Sequence, residues 1–148
     1  MASGESGIVS GRYALTSRDR RFNRLFSAAN ARPPSTVPRI TTVRSVSLSG
    51  RPTKTTVGLT KYSRVRYFFV LSRPRQTITF YSPLLDALSD LAATAVIAHE
   101  LAHAWLNEHF HPEESKKRER EADDLARAWG FGPELEALDK EAETVDSD

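Results

Sequence analysis

The chain contains no cysteine among its 148 residues. Disulfides and thiolate metal sites are excluded, so any bound metal must rest on imidazole and carboxylate groups. No apolar run approaches the roughly 20 residues that a membrane-spanning helix needs; the longest, Leu91–Ala98, runs into a His-Glu pair. Met1–Gly11 is rich in Gly and Ser, lacks the apolar stretch of a secretory signal and reads as disordered. These absences point to a cytoplasmic protein with no membrane partner. Acidic residues are scarce in the first half. Residues 1–75 hold 15 Lys or Arg against 2 Asp or Glu, and residues 76–148 hold 6 against 17, a polarity hidden by the net charge of +2. The plain explanation is two solvated faces of one domain. The sharper one is a basic half that meets nucleic acid or another anionic partner.

What is present suffices for one hydrophobic core, with 39% of residues hydrophobic. The chain divides into a basic segment, 1–35, a central domain, 36–132, and an acidic helix or tail, 133–148. Ser17–Ala31 reads as a basic amphipathic helix with Phe22, Leu25, Phe26 and Ala29 on one face. The prolines of Arg32–Pro38 read as a linker. Ile40–Leu48 alternates imperfectly, which predicts a strand with a bulge. Gly50–Pro52 reads as a turn and Thr55–Thr60 as a short strand. Arg64–Leu71 and Gln76–Tyr81 are rich in β-branched and aromatic residues and form a hairpin across Ser72–Arg75. Ser82-Pro83 opens a helical turn through Leu88. Ser89 or Asp90 caps a helix running to about Glu108, apolar nearly all round and therefore central. Pro112 opens a further helix that Gly130 ends, and Pro133–Glu143 forms a last, acidic one. The predicted class is α+β.

The central helix carries His99-Glu100-Leu101-Ala102-His103, an H-E-x-x-H pattern. Four residues are just over one helical turn, so both imidazoles project from one face and reach one Zn²⁺. Glu100 is turned by about 100° from His99, which puts its carboxylate beside the metal's open position as general base. A central helix otherwise free of charge between its end residues Asp90 and Glu108 would be costly to burden with these three groups unless they had a role. Two sources of a third ligand are open. One is His109, six residues after His103. The other is a carboxylate of the following helix, Glu119 or Glu121, which periodicity does not separate.

Glu119-Arg120-Glu121-Ala122-Asp123 after the H-E-x-x-H pattern resembles the gluzincin metallopeptidases, which pair that motif with E-x-x-[AS]-[DN] on a later glutamate helix. The resemblance runs from about Val65 to Gly130. It implies a small zincin-like domain with a short, mainly antiparallel sheet packed on an active-site helix and a glutamate helix. It makes Glu119 the third ligand of one Zn²⁺ per chain and Asp123 the carboxylate that orients a zinc-bound His. Gln76, Thr77, Ile78, Thr79 and Phe80 become the strand that pairs with a protein or peptide substrate. The implied activity is metal-assisted hydrolysis of peptide bonds by an endopeptidase. The metzincin alternative places its third His at position 109, but Leu106 stands at that family's turn glycine and no Met follows. Ile78–Leu85 before Ala98–His103 is similar to the soluble core of HtpX-like peptidases. Glu119–Leu125 is similar to ImmA/IrrE-type proteins, which cut or bind transcriptional regulators. His103-Ala104-Trp105 is similar to SprT-like DNA-associated proteases, although the later His-Gly element of those proteins is missing. Gluzincins often supply an oxyanion donor after the glutamate helix. Here Tyr81, His109, His111 and Arg127 are the substitutes. The first 60 residues carry no named motif.

Overall fold

A computed structural model of the protein describes residues 7–10, 13–50, 64–70, 73–110 and 115–146. Four strands form one sheet: β1 (Ala14–Leu15), β2 (Val43–Ser49), β3 (Arg64–Val70) and β4 (Arg73–Tyr81), in the order β1-β2-β4-β3. The pairs β1/β2 and β2/β4 are parallel, and only β3/β4 is antiparallel. The sheet is thus mixed, not mainly antiparallel as the family resemblance implied. Connection length explains it. Two residues separate the paired Val70 and Arg73, which permits only an antiparallel hairpin. A whole helix, α1 (Arg20–Ala31), lies between β1 and β2 and carries the chain back to start a parallel neighbour. The bulge expected in β2 falls between Val43 and Ser45, where its register against β4 shifts. The stretch 55–60, predicted as a strand, lies outside the described residues.

Helix α1 is the amphipathic segment of the sequence analysis. Asp19 caps it, its carboxylate accepting from the Phe22 amide at 2.8 Å. Phe22, Leu25, Phe26 and Ala29 are buried, and the Phe22 and Phe80 rings meet at 5.2 Å. The N-terminal stretch read as disordered is corrected in part. Ile8 and Val9 have no exposed area. The Ile8 amide donates to the Asn30 carbonyl and the Val9 amide to Asn30 Oδ1, both at 2.8 Å, and Val9 bridges to Ile40. Two β-branched residues in a polar stretch are enough to anchor it. Gly7 sits so close to Asn30 that a Cβ there would meet Nδ2 at 2.1 Å.

Four more helices follow: α2 (Ser82–Asp86), α3 (Asp90–His109), α4 (Lys116–Ala128) and α5 (Gly132–Asp146). Helix α3 lies in the middle. Ala92, Ala93, Ala95, Ala98, Ala102 and Ala104 are all buried on it, and such small residues let neighbours approach on every side. Ser89 caps α3, accepting from the Ala92 amide, and Glu141 of α5 braces that cap by accepting from the Ser89 amide at 2.9 Å and from its hydroxyl. Arg21 clamps the same end through Leu85 O, Leu88 O and the Asp90 carboxylate. At the other end Glu108 accepts from the Thr41 and Thr42 amides. Helix α4 is described from Lys116, with Ser115 as its cap; Pro112, expected to open this helix, lies outside the described residues. Its end is the expected one, with Gly130 at φ +101°.

The inner face of the sheet carries Val43, Val46, Gln76, Ile78 and Phe80, all buried in the core with α1 and α3. Burying each of the large side chains Phe26, Phe80 and Phe131 stabilises the fold by roughly 2–3 kcal/mol. Gln76 was expected to line a substrate cleft. Its side chain instead has no exposed area, donating to Ala104 O at 2.9 Å and to Thr42 Oγ1 at 3.0 Å and accepting from Asn107 Nδ2. It fastens the sheet to α3. The substrate-strand assignment of Gln76–Phe80 fails for a second reason: β4 is flanked by β2 on one edge and β3 on the other, so neither edge is free to pair with a peptide. Gln76→Ala is expected to lower unfolding free energy in urea by about 1–3 kcal/mol. A variant with wild-type stability would sink this assignment.

Candidate metal centre

Two consecutive turns of α3 and two of α4 build the centre. His99 and Glu100 are buried and His103 is nearly so, at 13% side-chain exposure. The Nε2 atoms of His99 and His103 lie 3.0 Å apart. Glu119 Oε2 is 3.2 Å from His99 Nε2 and also contacts His103 Nε2. Behind them Asp123 Oδ1 sits 2.7 Å from His99 Nδ1, fixing that ring so that Nε2 faces Glu119 and His103. Glu100 Oε2 is 4.0 Å from His99 Nε2, and the ligand atoms of His99, Glu100 and His103 all lie within 4.8 Å of one another.

Of the two carboxylates that periodicity left open, Glu119 is the one brought to the imidazoles. Glu121 accepts from Arg118 Nε at 3.1 Å instead. His109 is not in the cluster: its ring stacks on Trp105 with centroids 4.3 Å apart, and its Nδ1 is 2.9 Å from Trp105 O. Of the suggested oxyanion donors, Arg127 pairs with Asp124, Tyr81 ends β4, and His111 lies outside the described residues. Sequence reasoning missed the residues that hold α3 in place, namely Arg21, Glu108 and Glu141. Their partners lie 52 to 69 residues away, and no local pattern signals such pairs.

The donor set fits a tetrahedral zinc ion. Two ligands at about 2.0–2.1 Å from such an ion stand roughly 3.3 Å apart, close to the 3.0 and 3.2 Å separations here. Two imidazoles and a carboxylate are also the set found in catalytic zinc sites, which keep a fourth position open. His99, His103 and Glu119 would hold the ion, and the Asp123 contact is the partner that zinc-bound histidines commonly have.

Without metal the cluster keeps its own charge balance. Burial opposes protonation of His99, but the hydrogen bonds to Asp123 and Glu119, with the nearby Glu100 charge, outweigh it and raise its pKa from 6.5 to about 10. Burial also opposes ionisation of Glu119, but contacts with His103 and His99 outweigh it and lower its pKa from 4.5 to about 2.

A mixed sheet backed by a central helix with this His-Glu-His group defines a zincin-like domain of the metallopeptidase type. The SprT-like family model matches residues 22–123, and the chain belongs to that family. Of the three likenesses drawn from the sequence, the SprT-like one is therefore shown, and the match takes in α1 and β2, where no motif was visible. No curated protein and no solved structure matches the chain. Among the described residues no helix is long and apolar enough to cross a membrane.

The pKa shifts set a pH window. A raised His99 pKa contributes stability that is complete below 6.5 and lost as pH rises through about 10. A lowered Glu119 pKa contributes stability that is complete above 4.5 and lost as pH falls through about 2. In EDTA the cluster's contribution to the melting temperature is expected to be full between pH 4.5 and 6.5. Zinc requires neutral imidazoles, so its added stabilisation grows with pH and its uptake releases protons. Calorimetry in buffers of different ionisation enthalpy measures that release; zinc uptake without proton release contradicts the ligand set.

Proposed function

We propose that this protein is a zinc-dependent endopeptidase with His99, His103 and Glu119 as metal ligands and Glu100 as general base. The supporting observation is the convergence of three donor atoms from two helices, with a fourth, buried carboxylate beside them. Zinc, when bound, supplies a Lewis acid that polarises a carbonyl and lowers the pKa of water from about 15.7 to about 7. Glu100 accepts the proton of the attacking water and returns it to the leaving nitrogen. Asp123 holds the His99 ring in the tautomer that leaves Nε2 free. Burial of His99 and Glu100 keeps bulk water from competing for their protons. With both edges of β4 occupied, the strand available to an extended substrate is β3, which among the described residues pairs only with β4.

A metal kept for structure alone needs no general base, so Glu100 separates the two uses. Elemental analysis is expected to find about one zinc per chain in wild type, in Glu121→Ala and in His109→Ala, and a large loss in Glu119→Ala. Glu100→Gln is expected to retain zinc while casein hydrolysis falls roughly 100- to 10,000-fold. Metal loss in His109→Ala instead would overturn the third-ligand assignment. Undiminished hydrolysis by Glu100→Gln would overturn the catalytic one.

A further inference from the structure

Strand β1 covers only part of β2. It pairs with Ser45 and Val46 alone. Its continuation adds one backbone bond, from the Thr16 amide to the Val46 carbonyl at 3.0 Å. Beyond Val46, β2 runs on to Ser49, a further span of roughly 10 Å. Residues two apart in a strand turn their backbone polar groups to the same side. The Leu48 N–H and C=O therefore face the margin that Val46 uses to hold β1. Among the described residues no backbone hydrogen bond reaches Leu48 from that side. This margin is opposite β3 in the order β1-β2-β4-β3.

A pocket opens beside the same residue. Leu48 lines it together with Phe22 and Leu25 of α1, Leu85 of α2, and Ala93 and Ile97 of α3. Asp19, Arg21 and Asp86 are its polar members. The Arg21 guanidinium is already held by Asp90, Leu85 O and Leu88 O, so the carboxylates of Asp19 and Asp86 leave the pocket acidic. Its volume, open mouth included, is about 250 Å³, below the roughly 300–1,000 Å³ of small-molecule sites. One aliphatic side chain is an occupant of the right size. Ile97 precedes His99 by two residues and points roughly 160° away from it around α3. The pocket and the metal centre thus lie on different sides of that helix.

We propose that β2 accepts an extended peptide along this margin, with an aliphatic side chain seated in the pocket. An added strand bonds its backbone to the Leu48 N–H and C=O. The peptide residue directly opposite Leu48 falls on the same face as Leu48. That face is the inner one, because Leu48 pairs with Phe80, which has no exposed area. The opposing side chain therefore enters the pocket. Peptide residues two positions to either side share its face, where Lys or Arg meets the charge of Asp19 and Asp86. The partner is an extended segment of another protein with an aliphatic residue between two basic ones at that spacing. A second copy of this chain is a poorer occupant, since so short a strand margin does not supply the roughly 1,200 Å² that a stable interface between folded proteins buries. The site is independent of the peptidase reading, and its test is made in EDTA.

The probe is the acetylated peptide Lys-Thr-Val-Thr-Lys with a C-terminal fluorescein, followed by fluorescence anisotropy against the whole chain. Saturable binding is expected. Replacing the peptide's Val by Asp is expected to weaken it at least about tenfold, and N-methylating the central amides at least about fivefold. Both changes leave the protein untouched. On the protein side, Leu48→Pro removes the donor at the margin, a substitution that strand edges tolerate, and is expected to weaken binding at least about fivefold. If that variant loses stability in urea, Asp86→Lys takes its place. Asp86 is exposed, and reversing its charge is expected to weaken binding about two- to fivefold. Glu136→Lys, an equal change at an exposed position of α5, is expected to leave affinity unaltered. Absence of binding overturns the proposal. So does equal binding of the N-methylated or Asp-containing peptide, or equal weakening by Asp86→Lys and Glu136→Lys. Sedimentation of the peptide-free wild type as a dimer that Leu48→Pro dissociates overturns it as well, by making a second copy the occupant.

Discussion

Two imidazoles one turn apart on a buried helix impose the constraint on which this structure is built. Their Nε2 atoms face each other at 3.0 Å, a separation that only a shared proton or a shared cation relieves. Either positive centre needs an anion close by, and α3 offers only Glu100, which stands to one side. The counter-charge comes from α4, whose Glu119 and Asp123 are one turn apart and meet opposite sides of His99. Ala122 and Ala126, both without exposed area, let α4 lie close enough for this. The sheet then has to be fastened to α3 by polar contacts as well as by packing, and the Gln76 amide supplies them.

The parts legible in the sequence are those governed by local chemistry. The spacing from His99 to His103 fixes a helical face whatever the fold. The cap at Ser89, the stop at Gly130, the buried stripe of α1 and the bulge of β2 are all short-range signals. The sheet order was not legible because strand neighbours are chosen by contacts between distant segments. Reading Gln76–Phe80 as a cleft strand followed from resemblance and overlooked parity, since Gln76 shares the alternation of Ile78 and Phe80 and so belongs inside. Choosing between Glu119 and Glu121 needed family knowledge at first. In the structure the choice has a plain cause: Arg118, one position before Glu119, occupies the Glu121 carboxylate.

The charge polarity of the sequence acquires a spatial meaning in the same way. Alternating Arg-x-Arg pairs in two strands looked diffuse because a strand shows its neighbours to opposite faces. Pairing them in antiparallel register gives Arg64, Arg66, Arg73 and Arg75 one parity, opposite to that of Gln76, Ile78 and Phe80, in two strands that contain no acidic residue. The helical layer carries the His-Glu-His group and Glu119, and the sheet packs against it through Gln76, Ile78 and Phe80.

The brace between Glu141 and Ser89 bears on the order in which the molecule is assembled. The last helix packs extensively on α3, and its carboxylate secures the first turn of the helix that carries the motif. In order of synthesis the segments joined by Ile8, Asn30 and Ile40 precede the motif, and the motif precedes residue 141. Its helix nevertheless lacks this support until residue 141 has been made. The helix that carries the His-Glu-His group therefore becomes fully braced only once α5 is in place.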